Sequence, residues 1–245
     1  MSLKDRLFSR SKRTVSVAIV VAAMAIGGGA YGIVSATAST GPAATSTATS
    51  PFAASGKPGL SGGGSNARSG PAAGGATGTV DTVSTSSFTI STPAAQKVTI
   101  KTASSTTYET GTSSISASAI TKGERVLVLG ITDSTTQTIT ASQVIVQTGA
   151  EPASWSAVVA FQRGTEDKSK TVGQIPSSYK QGTGTLVSGT TANKATEAAL
   201  AVYPGGIVDR VVKLSNGDYE VHNIGVNWPH HIFVNQDFNV IGAND

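Results

Sequence analysis

The apolar residues of this 245-residue chain follow three different patterns along its length. Residues 15–36 form one uninterrupted apolar stretch, whereas residues 78–147 hold short β-prone runs separated by polar turns. Residues 193–242 begin with helical spacing and continue with strand-like runs. Residues 37–76 show no periodicity at all. Because each pattern favours a different kind of element, the sequence predicts a chain of several distinct parts.

The first stretch is long enough to cross a bilayer. The span from Val15 to Ala36 carries no charge, and a helix of about 20 residues crosses a hydrocarbon core of about 30 Å. Residues 1–13 carry five Lys or Arg residues against the single acid Asp5, and such a basic flank stays in the cytoplasm. We therefore expect a cytoplasmic tail at 1–13 and a single-pass transmembrane helix at 14–36 in a cell membrane, with the remaining chain extracytoplasmic.

A cleaved signal peptide is the alternative interpretation of the same segment. The basic start, the apolar run and the Ala36-Thr37-Ala38 sequence all suit a signal that is removed on secretion. The anchor is favoured because the apolar span continues through Val34, beyond the 7–15 residues typical of a signal peptide. Both interpretations export the rest of the chain.

Residues 37–76 consist almost wholly of Ala, Ser, Thr, Gly and Pro. Such a composition cannot bury enough apolar surface to offset the entropy of the chain. We expect a disordered linker here, which would hold the following parts away from the membrane.

Residues 77–148 are expected to form a small all-β barrel. Val, Ile, Thr and Phe dominate the runs, and alternation between polar and apolar positions is visible in several of them. The run Val126–Leu129 is apolar at every position, which predicts a central strand covered on both sides. The expected strands are Thr79–Val83, Phe88–Ser91, Lys97–Thr102, Arg125–Thr132 and Thr138–Gln147.

Three stretches of this region carry a resemblance to a family. The opening Gly78–Val83, the stretch Lys122–Val128 and the closing run Ile139–Val146 resemble an uncharacterised family of OB-like barrels in exported bacterial proteins. OB-like barrels elsewhere bind oligonucleotides or oligosaccharides, so the resemblance implies cell-wall glycan or small-ligand binding as one alternative function. A spacer role is favoured because Phe88 and Tyr108 are the only two aromatic residues on offer. The lysines of the region, Lys97, Lys101 and Lys122, are scattered along it.

Residues 149–190 are expected to be a connector, with a possible strand at Trp155–Gln162. The next segment, Asn193–Tyr203, places alanines and a valine at helical spacing, and Pro204-Gly205-Gly206 would end the helix. The Asn216-Gly217 pair predicts a tight hairpin turn between two strands. Residues 191–245 therefore predict an α+β domain, in which one helix covers a four-stranded antiparallel sheet. The expected strands are Ile207–Leu214, Tyr219–Val226, His230–Val234 and Phe238–Gly242.

Three stretches of this last part resemble a PepSY-type domain. They are the run Ala198–Gly206, the hairpin Val211–Val221 and the ending Phe233–Gly242. The insert Asn227–His231 departs from the generic pattern and resembles an actinobacterial variant. PepSY-type domains occur in propeptides of secreted peptidases and in envelope proteins, so the resemblance implies inhibition or regulation of a local peptidase, with no catalytic residues to carry over.

Composition and charge exclude several classes of function. The chain has 18 Lys and Arg residues against 14 Asp and Glu, and the excess lies in the N-terminal tail, so the remainder lacks the basic surface that nucleic acid requires. It has no cysteine, which excludes disulfides and Cys-ligated metals. No phosphate-binding loop or calcium loop occurs. We therefore expect a non-enzymatic protein without a cofactor.

All three histidines lie in the C-terminal part, but their expected placement argues against a metal site. His230 and His231 are adjacent on a predicted strand and would point to opposite faces, while His222 would lie roughly 13 Å away along the hairpin. We expect histidines at the surface or rim. A Trp228-Pro229 pair is more often a packed turn than a ligand anchor, but an exposed Trp228 beside two histidines would be the best candidate here for contact with a partner protein, and we expect a solvent-exposed edge at Trp228–His231. The candidate partner-contact residues are Trp228, His230, His231, Tyr203 and Tyr219.

Overall fold

The computed structural model describes residues 70–149, 158–162 and 170–245, all of which belong to one compact unit. The expected cytoplasmic tail and transmembrane helix, and the expected linker up to residue 69, lie outside the described residues. Within the described part of the chain, no helix is both long and apolar enough to span a membrane.

Five strands close into a barrel, which confirms the expected small all-β barrel. The strands are β1 (Ala72–Val83), β2 (Ser87–Ser91), β3 (Lys97–Lys101), β6 (Arg125–Asp133) and β7 (Thr138–Val146). Around the ring, β1 pairs with β2, β2 with β3, β3 with β7, β7 with β6, and β6 with β1. Of these five pairings, only that of β3 with β7 is parallel.

Alternation along the strands explains why they close around an apolar interior. On β2, Phe88 and Ile90 are buried, and on β3 Val98 and Ile100 are buried, while the intervening Ser, Thr and Lys side chains face outward. A residue at every second position therefore contributes to the barrel core. Two further strands were not expected from the sequence, because they are short and polar. They are β4 (Thr107–Thr110), which runs parallel to β7, and β5 (Ser113–Ser114), which pairs with β4.

The first barrel strand begins at Ala72, within the segment expected to be linker. This expectation is wrong for the last residues of that segment, because their small side chains serve close packing. A Cβ atom added at Gly74 would collide with the carbonyl oxygen of Val208, and one added at Gly75 would collide with that of Val128. The segment is rich in Ala and Gly because larger side chains would not fit where the backbones of three strands lie close together.

The C-terminal part contains one helix and four neighbouring antiparallel strands, which belong to a larger sheet. The helix α1 spans Gly189–Val202 and so begins four residues before the expected Asn193. Its start is set by Ser188 in an extended conformation and by Gly189, which has a φ of 63°. The four strands are β11 (Ile207–Lys213), β12 (Tyr219–Ile224), β14 (His231–Val234) and β15 (Val240–Asn244). They lie in the order β11, β12, β14, β15, and all neighbours are antiparallel.

Four short strands complete the strands of the described residues. The expected strand at Trp155–Gln162 appears, within the described residues, as the two-residue β8, which pairs with β13 in a small second sheet. Strand β9 pairs with β15, and β10 pairs with β11. Their bounds are β8 (Val159–Ala160), β9 (Val172–Gly173), β10 (Thr185–Leu186) and β13 (Val226–Trp228).

The barrel and the C-terminal sheet are joined by one strand. The first half of β1 pairs with β6 on one side and, at Gly75 and Ala76, with β11 on the other. On β6, Val126 and Val128 point into the barrel core, whereas Leu127 and Leu129 belong to the cluster that α1 covers. This explains why the run is apolar at every position, since it forms a wall between two cores. The boundaries at 148 and 190 stay predictions.

Candidate functional site

Trp228 is buried, so the expectation of an exposed tryptophan is wrong. Its side chain is 1% exposed, and its indole Nε1 donates a hydrogen bond to the carbonyl oxygen of Lys170 at 2.7 Å. The ring meets the Tyr203 ring edge-on at 5.4 Å, and the Lys170 Nζ atom lies 4.0 Å from the indole centroid. The burial follows from β13, which leaves the hairpin after Gly225 and pairs with β8 instead. The indole is therefore part of the C-terminal core.

The two candidate tyrosines are also core residues. Tyr203 is 6% exposed and closes the C-terminal end of α1, where its backbone N–H donates to the carbonyl oxygen of Ala199. Tyr219 is 7% exposed and stacks on Phe238 with ring centroids 5.5 Å apart. Neither side chain presents the free aromatic face that a partner contact needs.

The three histidines lie close together, which corrects the expected separation of about 13 Å. His222 lies directly opposite His231 across β12 and β14, and the ring centroids are 5.3 Å apart. The rings of His222 and His230 are 6.5 Å apart. The expectation failed because β13 leaves the sheet, so the return strand β14 pairs in a register that a simple hairpin would not give. His222 and His231 are both buried, which also corrects their expected surface placement.

A buried polar layer surrounds His222 on the side of the sheet away from α1. Arg210 lies opposite His222, which in turn lies opposite His231, so the three side chains share one face of the sheet. An irregularity between Val208 and Arg210 adds Asp209 to the layer. We use the name polar layer for five residues, each less than one-tenth exposed: Asp209, Arg210, Glu220, His222 and His231.

Each buried histidine in the polar layer is held by a carboxylate. The Nδ1 atom of His222 lies 2.6 Å from an oxygen of Asp209, and the other Asp209 oxygen lies 3.6 Å from the Arg210 guanidinium. His231 Nδ1 lies 2.8 Å from Glu220. A buried polar group without a partner costs free energy, so these pairs are what make burial of the layer tolerable.

Tyr179 covers the far end of the polar layer. Its ring lies 5.4 Å from the His231 ring and meets Phe233 edge-on at 4.8 Å. Burial raises the pKa of Tyr179 well above its ordinary value, and the charge of Glu220 adds to the effect. The phenol therefore stays protonated at physiological pH.

His230 differs from the other two histidines because it reaches the surface. Its Nε2 atom donates to the carbonyl oxygen of Val226 at 2.6 Å, and its Nδ1 atom lies 4.0 Å from an Asp245 carboxylate oxygen. A pocket of about 180 Å³ lies beside it, and its lining includes His222 and Phe161. Phe161 is 59% exposed. The surface beside His230 thus carries a large apolar side chain, while Trp228 does not contribute to it.

The polar layer contains side chains of the kind that acid–base catalysis uses, but these side chains are buried. His222 with Asp209 and His231 with Glu220 resemble base–carboxylate pairs, but a catalytic base must reach a substrate proton. Both imidazoles are almost fully buried. Among residues 70–149, 158–162 and 170–245, no group of three or more His, Cys, Asp or Glu side chains is placed to hold a metal ion.

Acidification is expected to destabilise the folded chain through His222. Burial lowers the pKa of His222 below its ordinary 6.5, although Asp209 opposes the shift. Between that lowered pKa and 6.5, the unfolded chain binds a proton at His222 that the folded chain does not. The contribution of neutral His222 to the free energy of unfolding is therefore complete above about pH 6.5 and is lost as the pH falls. Urea unfolding at pH 7.5, 6.5 and 5.5 would measure the effect.

The control for this pH dependence is the variant His222→Asn, whose amide keeps a donor near the Nδ1 position. Its free energy of unfolding should fall less steeply with pH than that of the wild type. Identical slopes in wild type and His222→Asn would contradict the assignment. The charged and titratable groups that face His222 are Asp209, Arg210, His230 and His231. Glu220 and Tyr179 lie against His231, and Asp245 lies against His230.

Sequence reasoning missed the acids and the arginine of the polar layer. The available signal was the Asp209-Arg210 pair inside the otherwise apolar run Ile207–Val212. Charged residues in a strand that is covered on both faces require buried partners. The next strand offers such partners, because Glu220 and His222 occupy alternate positions on it.

Comparisons of this chain with protein-family models, with curated proteins and with solved structures find no match.

Proposed function

We propose that this chain is a membrane-anchored, extracytoplasmic protein of the bacterial envelope, whose C-terminal part binds and regulates an envelope protein such as a peptidase. In this proposal the chain itself catalyses no reaction. The PepSY-like sequence pattern of residues 191–245 supports the regulatory role, and the basic flank before residues 14–36 supports the anchor. The order of the five-stranded ring is compatible with an OB-like barrel, which serves as a spacer.

The observation that carries the proposal is an exposed apolar edge at β8. Phe161 is 59% exposed and Val159 is 37% exposed, in a C-terminal part whose other large apolar side chains are mostly buried. We call Val159–Phe161 the β8 edge. Within the described ranges, β8 pairs only with β13. An unpaired strand edge with exposed apolar side chains is a natural site for a partner chain.

The β8 edge is held in an extended form that suits strand addition. Asn227 accepts a hydrogen bond from the backbone N–H of Gln162 and donates one to its carbonyl oxygen, both at 3.1 Å. Val159 and Phe161 are two residues apart, so they lie on the same side of an extended segment. A partner segment could therefore pair with the backbone of β8 and bury both side chains, which is how extended peptides add to sheet edges.

The buried polar layer supports a role without catalysis. Its two histidines and two carboxylates are bonded to one another and shielded from solvent, so they stabilise the fold that presents the β8 edge. The contact then involves Phe161, Val159 and the neighbouring His230, while Trp228 is buried in the strand that pairs with β8.

Site-specific cross-linking in intact cells would test the β8 edge. Because the chain has no cysteine, Phe161→Cys in the full chain gives a unique thiol that can carry a benzophenone. Leu186→Cys is a matched control, since Leu186 is 47% exposed and lies on a different strand. We expect a discrete adduct with one extracytoplasmic protein from position 161 only. Phe161→Ala should weaken binding of that protein by about tenfold or more, as expected for a buried aromatic anchor.

Three outcomes would contradict the proposal. Adducts of equal yield from positions 161 and 186 would show non-specific contact, and the absence of any adduct from position 161 would remove the β8 edge as the contact site. An adduct with a cytoplasmic protein alone would overturn the extracytoplasmic location.

A further inference from the structure

The tip of the hairpin between β11 and β12 carries the only Asn-Gly sequence in the chain. Asn216 is exposed there, and Gly217 follows it with a φ of 92°. The backbone N–H of Gly217 donates to the carbonyl oxygen of Leu214 at 3.0 Å, and the backbone N–H of Leu214 donates to the carbonyl oxygen of Asp218 at 2.8 Å. The side-chain amide of an asparagine can react with the backbone nitrogen of the next residue, and a glycine leaves that nitrogen unshielded because it has no Cβ atom.

Hydrogen bonds fold the Asn216 side chain back over the turn. Its Oδ1 atom accepts a hydrogen bond from the backbone N–H of Asp218 at 3.3 Å, and its Nδ2 atom donates to the Asp218 carboxylate at 2.6 Å. The first of these bonds folds the side chain over the peptide that links Asn216 to Gly217. It also polarises the Cγ–Oδ1 group, which makes Cγ a better target for a nucleophile. The turn therefore orients and activates the side-chain amide.

The hydrogen bonds that restrain the tip lie at the surface. Gly217 can attack only when its N–H is released from Leu214. A further restraint is the hydrogen bond from the Gln236 side chain to the carbonyl oxygen of Asn216, at 3.2 Å. Ser215, Asn216 and Gln236 are all exposed. Local opening of the tip therefore breaks only a few surface hydrogen bonds, which costs much less free energy than global unfolding.

We propose that Asn216 is a self-modification site, at which the folded chain converts this asparagine into aspartate and isoaspartate. The backbone nitrogen of Gly217 loses its proton to solvent and attacks Cγ of Asn216, so that a C–N bond forms within one chain. The side-chain nitrogen takes a proton from solvent and leaves as ammonia. Water then opens the cyclic imide. Opening of the new bond to Cγ leaves aspartate, whereas opening of the original peptide bond leaves isoaspartate.

Both products change the tip of the hairpin. Each places a new carboxylate beside Asp218, whose own carboxylate loses the hydrogen bond from Nδ2. In isoaspartate the main chain passes through Cβ and Cγ, so the connection between β11 and β12 is longer. The pairing of these strands sets Arg210 opposite His222, so a longer turn disturbs the register on which the polar layer depends. We therefore expect the modification to lower the stability of the C-terminal part.

Peptide mapping of the full chain after storage at neutral and at mildly alkaline pH would test the site. Mass spectrometry with electron-based fragmentation distinguishes asparagine, aspartate and isoaspartate at each position. Asn235 is the matched control, because its Oδ1 atom also accepts a backbone N–H, from Asp237 at 3.0 Å, but a glutamine follows it. We expect Asn216 to convert at least about tenfold faster than Asn235, which corresponds to a barrier lower by about 1.4 kcal/mol. Alkaline pH should speed the reaction, because the attacking nitrogen must lose its proton.

Two variants at the same position separate the modification from its effect on the fold. Asn216→Gln keeps the amide but would have to close a larger ring, so it should neither convert nor lose stability on storage. Asn216→Asp carries the new charge without the longer main chain, so before storage it should unfold at a higher urea concentration than fully converted wild type. Conversion of Asn216 no faster than Asn235, or a loss of stability in stored Asn216→Gln equal to that of stored wild type, would overturn the proposal. Either result would leave the β8 edge untouched, because its residues take no part in the reaction.

Discussion

Replacing Trp228 with alanine is expected to lower the free energy of unfolding by about 3–5 kcal/mol. The indole is 1% exposed, so its removal leaves a large cavity in the core covered by α1. The change also removes the hydrogen bond to the carbonyl oxygen of Lys170 and the edge contact with Tyr203. Urea unfolding of the full chain, followed by circular dichroism, would measure the loss.

The matched control for Trp228→Ala is Phe161→Ala at the β8 edge. Phe161 is 59% exposed, so its truncation should change the free energy of unfolding by no more than about 0.5 kcal/mol. Trp228→Phe should fall between the two, because it keeps most of the ring and loses the Nε1 donor. A loss below about 1 kcal/mol for Trp228→Ala would contradict the packed position of the indole. Phe161 is therefore the aromatic residue to change in binding studies, because loss of Trp228 would weaken binding only by destabilising the fold.

Replacing Asp209 with alanine is expected to cost about 3–5 kcal/mol of stability as well, but for an electrostatic reason. Asp209 is 7% exposed and bonds His222 through one oxygen, while the other lies 3.6 Å from the Arg210 guanidinium. Alanine removes the carboxylate and leaves Arg210, 3% exposed, without this counter-charge. The same urea unfolding at pH 7.5 would measure the effect.

Two variants control for the loss of the Asp209 carboxylate. Asp237→Ala removes an exposed acid in a turn and should alter stability by less than about 0.5 kcal/mol. Asp209→Asn keeps the shape and an acceptor for His222 but loses the charge, so its cost should lie between those of the two alanine variants. If Asp209→Ala and Asp237→Ala cost the same, the polar layer would not be a stabilising unit.

The polar layer and the β8 edge are two separate sites, although the sequence pattern predicted a single contact surface. Interpreted alone, the sequence placed Trp228 and the adjacent histidines at one exposed contact surface. In the structure, Trp228 and His231 are internal, while His230 lies beside the exposed Phe161. Substitutions in the polar layer therefore test folding and its pH dependence, whereas substitutions at the β8 edge test binding.

Apart from the start of β1, which lies seven residues before the expected Thr79, the main barrel strands and C-terminal strands follow from the sequence to within a few residues. On β2 and β3, every second residue is apolar, and a strand with this alternation has one face that must be buried wherever it lies. The turn at Asn216-Gly217 follows from local chemistry too, since Gly217 adopts a φ of 92° that other residues avoid. Local preferences of this kind act within a few residues of chain, so the sequence alone determines them.

The tertiary structure alone decided where β1 begins, what the histidines contact and which aromatic residue is exposed. Ala72–Ala76 read as linker because small residues bury little surface, yet in the fold they let β1 approach β11 and α1 closely. His222 lies beside His231 because β13 leaves the sheet, which changes the register in which β14 pairs with β12. No local sequence pattern predicts this change of register. Burial of Trp228 and exposure of Phe161 depend on pairing between segments more than 60 residues apart. Such pairings are set by the total free energy of packing, to which each local sequence contributes only a part.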